Sequence, residues 1–134
     1  MFSKVQQTLI YDFCKKKNLE IVPVGYYNHW VKKNFLGLNP TNFIDYLKKS
    51  SFVFTSMFHG VMFSVKYCKQ FLFSLDPIRK NKIETFLNMF DLNDRIFEND
   101  TNKKDIDFNL IKLKMKPYVL ESQKFLIDNI KKLQ

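Results

Sequence analysis

Apolar residues along this chain alternate between helical spacing and short continuous runs, and the alternation predicts the elements. Phe2, Val5, Leu9 and Phe13 stand three and four apart with Lys and Gln between them, which predicts an amphipathic helix ending near Asn18. Leu19 to Val24 reads as a buried strand, with Pro23 favouring its end or a sheet edge. Gly25 to Leu38 is a loop crowded with Tyr26, Tyr27, His29 and Trp30. Asn39 then caps a helix opened by Pro40, whose inner stripe is Phe43, Ile44 and Leu47 and which stops near Ser50. Phe52 to Thr55 is a second strand, followed by a helix from about Phe58 to Cys68. Gln70 to Leu75 is a third strand, ending in Asp76-Pro77. Ile83, Phe86, Leu87 and Phe90 mark the next amphipathic helix. Asp91 to Asp94 turns the chain into Arg95 to Phe97, a last short strand, and Glu98 to Asp107 is a polar loop. Phe108, Ile111 and Met115 predict a short helix. Pro117 opens the final one, with Val119, Leu126, Ile130 and Leu133 on its inner face.

Strands alternating with helices predict a parallel sheet with right-handed crossovers. The expected architecture is a three-layer, Rossmann-like α/β domain over residues 1–134, with a small parallel sheet and exposed sheet edges. Because the pattern opens on a helix and its helices ask for more surface to cover, it reads as half of a larger assembly.

Composition narrows the partners. Hydrophobic residues make up 46% and aromatics 16%, with fifteen Phe, enough for a packed core and against disorder. No apolar run approaches the ~20 residues of a membrane span, so a soluble, cytoplasmic protein is expected. Cys14 and Cys68 make no disulfide framework and suit reduced thiols. The net charge of +9 invites an anionic partner, but of the 22 basic residues only Arg79 and Arg95 offer the planar fork that reads bases and phosphates. The lysines are spread as short pairs and one triplet, Lys15 to Lys17. Peripheral contact with anionic lipid, or contact with anionic glycan, is therefore favoured over nucleic acid, and no specific nucleic-acid binding is expected.

The candidate chemistry sits between Phe52 and Cys68. A strand that turns into a helix aims free backbone N–H groups at whatever lies above the strand end, a natural anion site. His59 brings a titratable imidazole to that mouth, or else packs at a helix start. Ser56 either caps the helix or bonds a ligand oxygen. Gly60 lets a ligand approach the first turn without a Cβ clash. Arg79 follows the third strand, so it faces the same crevice as His59 or lies on the surface; in the crevice it would clamp phosphate or carboxylate. Arg95 reads as structural. The aromatic loop is either a wall for sugar rings or packing. The two His and two Cys lack ligand spacing, so no metal site is expected.

The same stretch, Phe52 to Tyr67, resembles the Val-x-Thr-x-Ser-Phe-His-Gly-x-x-Phe-Ser core of the polysaccharide pyruvyl transferase family. Asn39-Pro40-Thr41-Asn42-Phe43-Ile44 is similar to that family's Ser-Pro-Glu-x-Phe-Leu helix start. Lys69-Gln70-Phe71 resembles its Lys-Pro-Phe, Phe86 to Arg95 its Leu-Leu-x-x-Leu-Gly-Leu-x-x-Arg, and Glu121 to Leu126 a final Ser-x-x-Phe-Leu helix. Met57 departs from the family's Ser or Arg, and Gln70 from its Pro. The resemblance covers about Val22 to Ile130 and only the carboxyl-terminal half of the family, whose members resemble two-domain GT-B-like enzymes. It implies transfer of a pyruvyl ketal from phosphoenolpyruvate to a sugar of a cell-surface polysaccharide or its precursor, with no other cofactor. His59 would be the catalytic residue, with Ser56, Gly60 and Arg79 binding substrate. The implied partners are a glycan acceptor and a separate chain carrying the amino-terminal half, in the cytoplasm at the inner face of the membrane. A catalytically silent half that binds carbohydrate or a partner is the second reading, and a basic nucleic-acid-binding module the third.

Overall fold

Ser3 starts the first helix by satisfying two backbone donors at once. Its hydroxyl accepts from the Gln6 N–H, and the Gln6 side chain accepts from the Ser3 N–H. A computed structural model describes residues 2–75 and 80–132, with Lys80 and Asn81 as backbone alone. In chain order its elements are α1 (Lys4–Lys16), α2 (Pro40–Lys49), β1 (Val53–Thr55), α3 (Phe58–Lys66), β2 (Phe71–Phe73), α4 (Lys80–Met89), a 3-10 turn (Asn93–Arg95) and α5 (Phe108–Lys132). As its Asn-Pro start predicts, α2 is capped by Asn39, whose Oδ1 accepts from the Asn42 N–H at 2.8 Å.

Three helices end the same way. After α1, α3 and α4 the chain enters the left-handed region at Asn18, Cys68 and Asp91, each with φ of 53° or 54°. The next residue then bonds back five positions: Leu19 to Cys14, Lys69 to Ser64, and Leu92 to Leu87. These reversals satisfy last-turn carbonyls and are commonly built on Gly. Here Asn, Asp and Cys take that place.

The sheet is small and parallel. Val53, Phe54 and Thr55 pair with Phe71, Leu72 and Phe73; of the last strand expected over Arg95 to Phe97 only a single parallel bridge, Phe73 to Ile96, forms, because Arg95 closes the 3-10 turn instead. Alternation along β2 divides the interior. Phe71 and Phe73 join Val61 and Val65 of α3, Ile83 and Leu87 of α4, and Ile111 of α5. Leu72 faces the other way and joins Ile10 and Cys14 of α1 with Phe97. Helices thus cover both faces of a parallel sheet, which makes this a mixed α/β fold. Each fully buried Phe or Leu contributes about 1.5–3 kcal/mol.

Further expected elements differ. Leu19 to Val24 forms no strand. Pro23 has no N–H to give a ladder, and the chain there closes a loop instead: Pro23 O accepts from Phe35 N, Gly25 N donates to Phe35 O, and Val24 bridges Phe35. The two helices expected on either side of Pro117 are one, with Pro117 inside α5. The inner face expected for its second half is not inward. Val119, Leu126 and Ile130 are exposed, while Leu133 lies outside the described residues.

Candidate functional site

The mouth of α3 is built from the last residue of β1. Met57 is the N-cap residue in extended conformation, and its side chain cannot accept a first-turn N–H. Thr55 partly compensates: its Oγ1 accepts from the Met57 N–H at 3.1 Å. The helix begins with Val61 N–H donating to Met57 O at 3.3 Å. Among the described residues no side chain caps Phe58, His59 or Gly60, and the helix dipole leaves their N–H groups at its positive end.

His59 is exposed there, its ring 6.0 Å from that of Phe58 and nearly perpendicular to it. Ser56 is half-buried and does not cap the helix; its neighbour Thr55 holds only the N–H of Met57, which precedes the first turn. Gly60 is buried, and the space its missing Cβ leaves is taken by Thr55, whose Oγ1 would stand 2.1 Å from such an atom. That glycine lets the helix seat on the strand end. Ser64, one turn on, is fully buried and its hydroxyl donates to Gly60 O at 2.7 Å. Arg79 lies outside the described residues. Arg95 is 2% exposed and held by the Asp94 carboxylate, which agrees with a structural role.

A cleft of about 400 Å³ opens on the same, carboxyl edge of the sheet, lined by Ser3, Val5, Gln6, Ser74, Leu75, Glu98 and Asn99. Ser56, His59 and Gly60 are not among its walls. Its floor is a closed polar network. Gln6 Oε1 accepts from Ser74 Oγ and from Ser3 N, and Gln6 Nε2 donates to Phe97 O, all at 3.0 Å. Two signals could have found it: the Ser-x-x-Gln spacing of Ser3 and Gln6, and the position of Ser74 just past a parallel strand.

The aromatic loop divides. Trp30 packs edge-on to Phe2 and Tyr11, and the Tyr11 hydroxyl donates to Trp30 O at 2.7 Å. Tyr26 and Tyr27 are each 65% exposed, and His29 is exposed beside them. Asn28 and Asn34 brace this loop from within: Asn28 N donates to Asn34 Oδ1 at 2.7 Å, and Asn34 Nδ2 returns to Asn28 O at 3.1 Å. Of the two thiols, Cys14 is buried, and burial pushes it above its ordinary value; Cys68 is exposed.

Compared with protein-family models, with curated proteins and with solved structures, the chain matches none.

Proposed function

We propose that this chain is a domain of a transferase that places a pyruvyl ketal from phosphoenolpyruvate on a sugar of a cell-surface polysaccharide or its precursor. The proposed relation in fold is to the Rossmann-like carboxyl-terminal half of a GT-B-like enzyme, working in the cytoplasm at the inner face of the membrane. The observation that carries the reading is the exposed imidazole of His59 on the uncapped first turn of α3, directly after a parallel strand. Around it stand the matched positions Ser56 and Gly60.

In this reading two sugar hydroxyl oxygens bond to C2 of the donor, and the C2–O bond to phosphate breaks. The donor's methylene carbon gains one proton to become a methyl group. Of the two hydroxyl protons, one makes good the proton that His59 delivers to that carbon, and the other leaves with phosphate. The free N–H groups of Phe58, His59 and Gly60 favour the departing anion. A side chain that only delivers a proton contributes ~10²–10⁴ in rate.

The test compares wild type with His59→Ala, each supplied with the complementary half and a glycan acceptor, reading the pyruvate methyl signal by NMR. A drop of ~10²–10⁴ is expected with the fold intact, because His59 is exposed. Equal rates would remove His59 from the chemistry.

The second reading, a silent half that binds carbohydrate, draws on the exposed Tyr26 and Tyr27 and on a cleft that His59 does not line. Glycan binding that survives His59→Ala, is lost in Tyr26→Ala/Tyr27→Ala, and comes without turnover would favour it.

A further inference from the structure

The chain direction forces a charge pattern on one edge of the sheet. β1 and β2 are parallel, and α2 and α3 each lead into the start of a strand, so their carboxyl ends lie at the amino edge. The end of α1 lies there too, because Phe13 packs on Phe52 with ring centroids 4.6 Å apart, just before β1. All three of these ends are basic: Lys15 to Lys17 at α1, Lys48 and Lys49 at α2, and Lys66 at α3, followed by Lys69. Lys48 and Lys66 stand over the ring of Tyr67 at 5.2 and 5.6 Å, which draws separate helices into one patch. Lys69 Nζ donates to Ser50 O at 2.9 Å. The ion pairs among the described residues join Arg95 to Asp94, Lys103 to Asp100 and Lys114 to Asp91, and none uses these lysines. Lysines at helix ends complement the helix dipoles, but seven on one edge exceed what three dipoles ask for.

A second, independent feature leaves from the same edge. The parallel bridge of Phe73 with Ile96 requires α4 to carry the chain back to the amino edge, which puts Phe90 and Asp91 there. Lys114 of α5 is ion-paired to Asp91, and Tyr118 meets Phe90 at 5.8 Å. Gln70, just before β2, holds the approach to α5 through two hydrogen bonds with the Ile106 backbone, at 2.8 and 3.1 Å. Past Tyr118 the helix runs out over solvent, and every residue from Val119 to Lys132 except Asn129 is exposed. Its apolar stripe continues and broadens to take in the exposed Leu120 and Ile127. Val119, Leu126 and Ile130 continue the helical spacing of Ile111 and Met115, which face the core, while Glu121, Lys124, Asp128 and Lys131 fall on the opposite side. No helix among the described residues is long and apolar enough to cross a membrane.

We propose that the lysine-rich amino edge and the overhanging apolar face of α5 together form a docking surface for an anionic lipid bilayer. Such an amphipathic helix lies in the headgroup plane with its apolar face down, and stable attachment needs a second signal such as a polybasic patch. This chain places both signals on one edge. Scarcity of arginine and the broad apolar face favour lipid over nucleic acid, whose phosphates would leave Leu126 and Ile130 uncovered. The proposal does not depend on pyruvyl transfer.

The experiment is co-sedimentation of the full chain with phosphatidylserine–phosphatidylcholine vesicles and with pure phosphatidylcholine vesicles, at low and at physiological salt. Binding is expected to the anionic vesicles, weakening as salt rises. Each lysine near the surface is worth roughly fivefold, so Lys48→Gln/Lys49→Gln/Lys66→Gln should lower partitioning on the order of a hundredfold. Leu126→Ser/Ile130→Ser should lower it by about tenfold or more, because buried side-chain methylenes are lost from the lipid. All five positions are exposed, and circular dichroism should confirm unchanged helix content. Absent binding, equal binding to neutral vesicles, or indifference to both variants would overturn the proposal. Two other results would also overturn it: tighter retention by a DNA or RNA duplex than by vesicles at the same salt, lost in the lysine variant; or a dimer that Leu126→Ser/Ile130→Ser dissociates while vesicles go unbound.

Discussion

The Cβ that Gly60 lacks would lie 2.1 Å from Thr55 Oγ1 and 2.8 Å from Thr55 Cβ, so the helix after β1 seats directly on the last side chain of the strand. Thr55 belongs to the sheet, and its Oγ1 also holds the Met57 N–H, so it cannot step aside without giving up that bond. Gly60→Ala is therefore expected to destabilise the protein by about 1–3 kcal/mol through overpacking. On helix propensity alone the same change would stabilise by roughly 1 kcal/mol, so the sign separates the two effects. Urea unfolding of wild type and variant decides it, and a stabilised Gly60→Ala would refute the close approach.

Cys68 occupies a left-handed position, φ 53°, at the end of α3, and is exposed. For a residue with a Cβ that conformation costs roughly 1–2 kcal/mol, a penalty glycine escapes. Cys68→Gly should raise stability by up to about 1 kcal/mol, since glycine's freer unfolded chain takes part of the gain back. A lower thermal midpoint would contradict this.

The two thiols should also separate chemically. Iodoacetamide is expected to label Cys68 in the native protein and to leave Cys14 untouched, as mass spectrometry of the peptides will show. Burial raises the Cys14 thiol by desolvation, favouring its neutral form in the fold. The sign follows: its contribution is fully present below the unfolded-state value and is lost as pH rises through the alkaline range. Cys14→Ala would remove that alkaline loss, while weakening the packing beside Ile10 and Leu72.

Gln6 is nine-tenths buried and ties α1 to the ends of β2 and of the Ile96 segment. Gln6→Glu removes the donor to Phe97 O and sets a carboxylate oxygen against that carbonyl. A loss of about 1–3 kcal/mol is expected at neutral pH. The introduced carboxyl should titrate high in its buried setting, so stability should recover as pH falls and the protonated acid donates again. Denaturation of Gln6→Glu and wild type across the acidic range checks the crossover. A pH-independent difference would show that the Phe97 bond is not what Gln6 supplies.

Features set by neighbours along the chain are legible in the sequence alone. Asn39 with Pro40 starts a helix because the cap needs only a side-chain oxygen and a donor three residues on. Ile83, Leu87 and Phe90 show their face by spacing alone, and the Phe52 and Gln70 runs read as parallel strands because helices separate them. His59 reaches the mouth of α3 for the same local reason. Everything that depends on what lies across space is decided by the tertiary structure. Leu19 to Val24 has strand composition but finds Phe35, through Pro23 and Gly25, instead of a sheet edge. Gly60 looks like room for a ligand until Thr55 is seen to fill it. Ser74 and Gln6 stand 68 residues apart in sequence and meet only because α1 packs on the sheet. The outer half of α5 repeats the spacing of a buried face, but periodicity states only that a helix has an apolar side. Whether that side is covered is decided by where the helix runs, and beyond Tyr118 α5 runs on with its residues exposed.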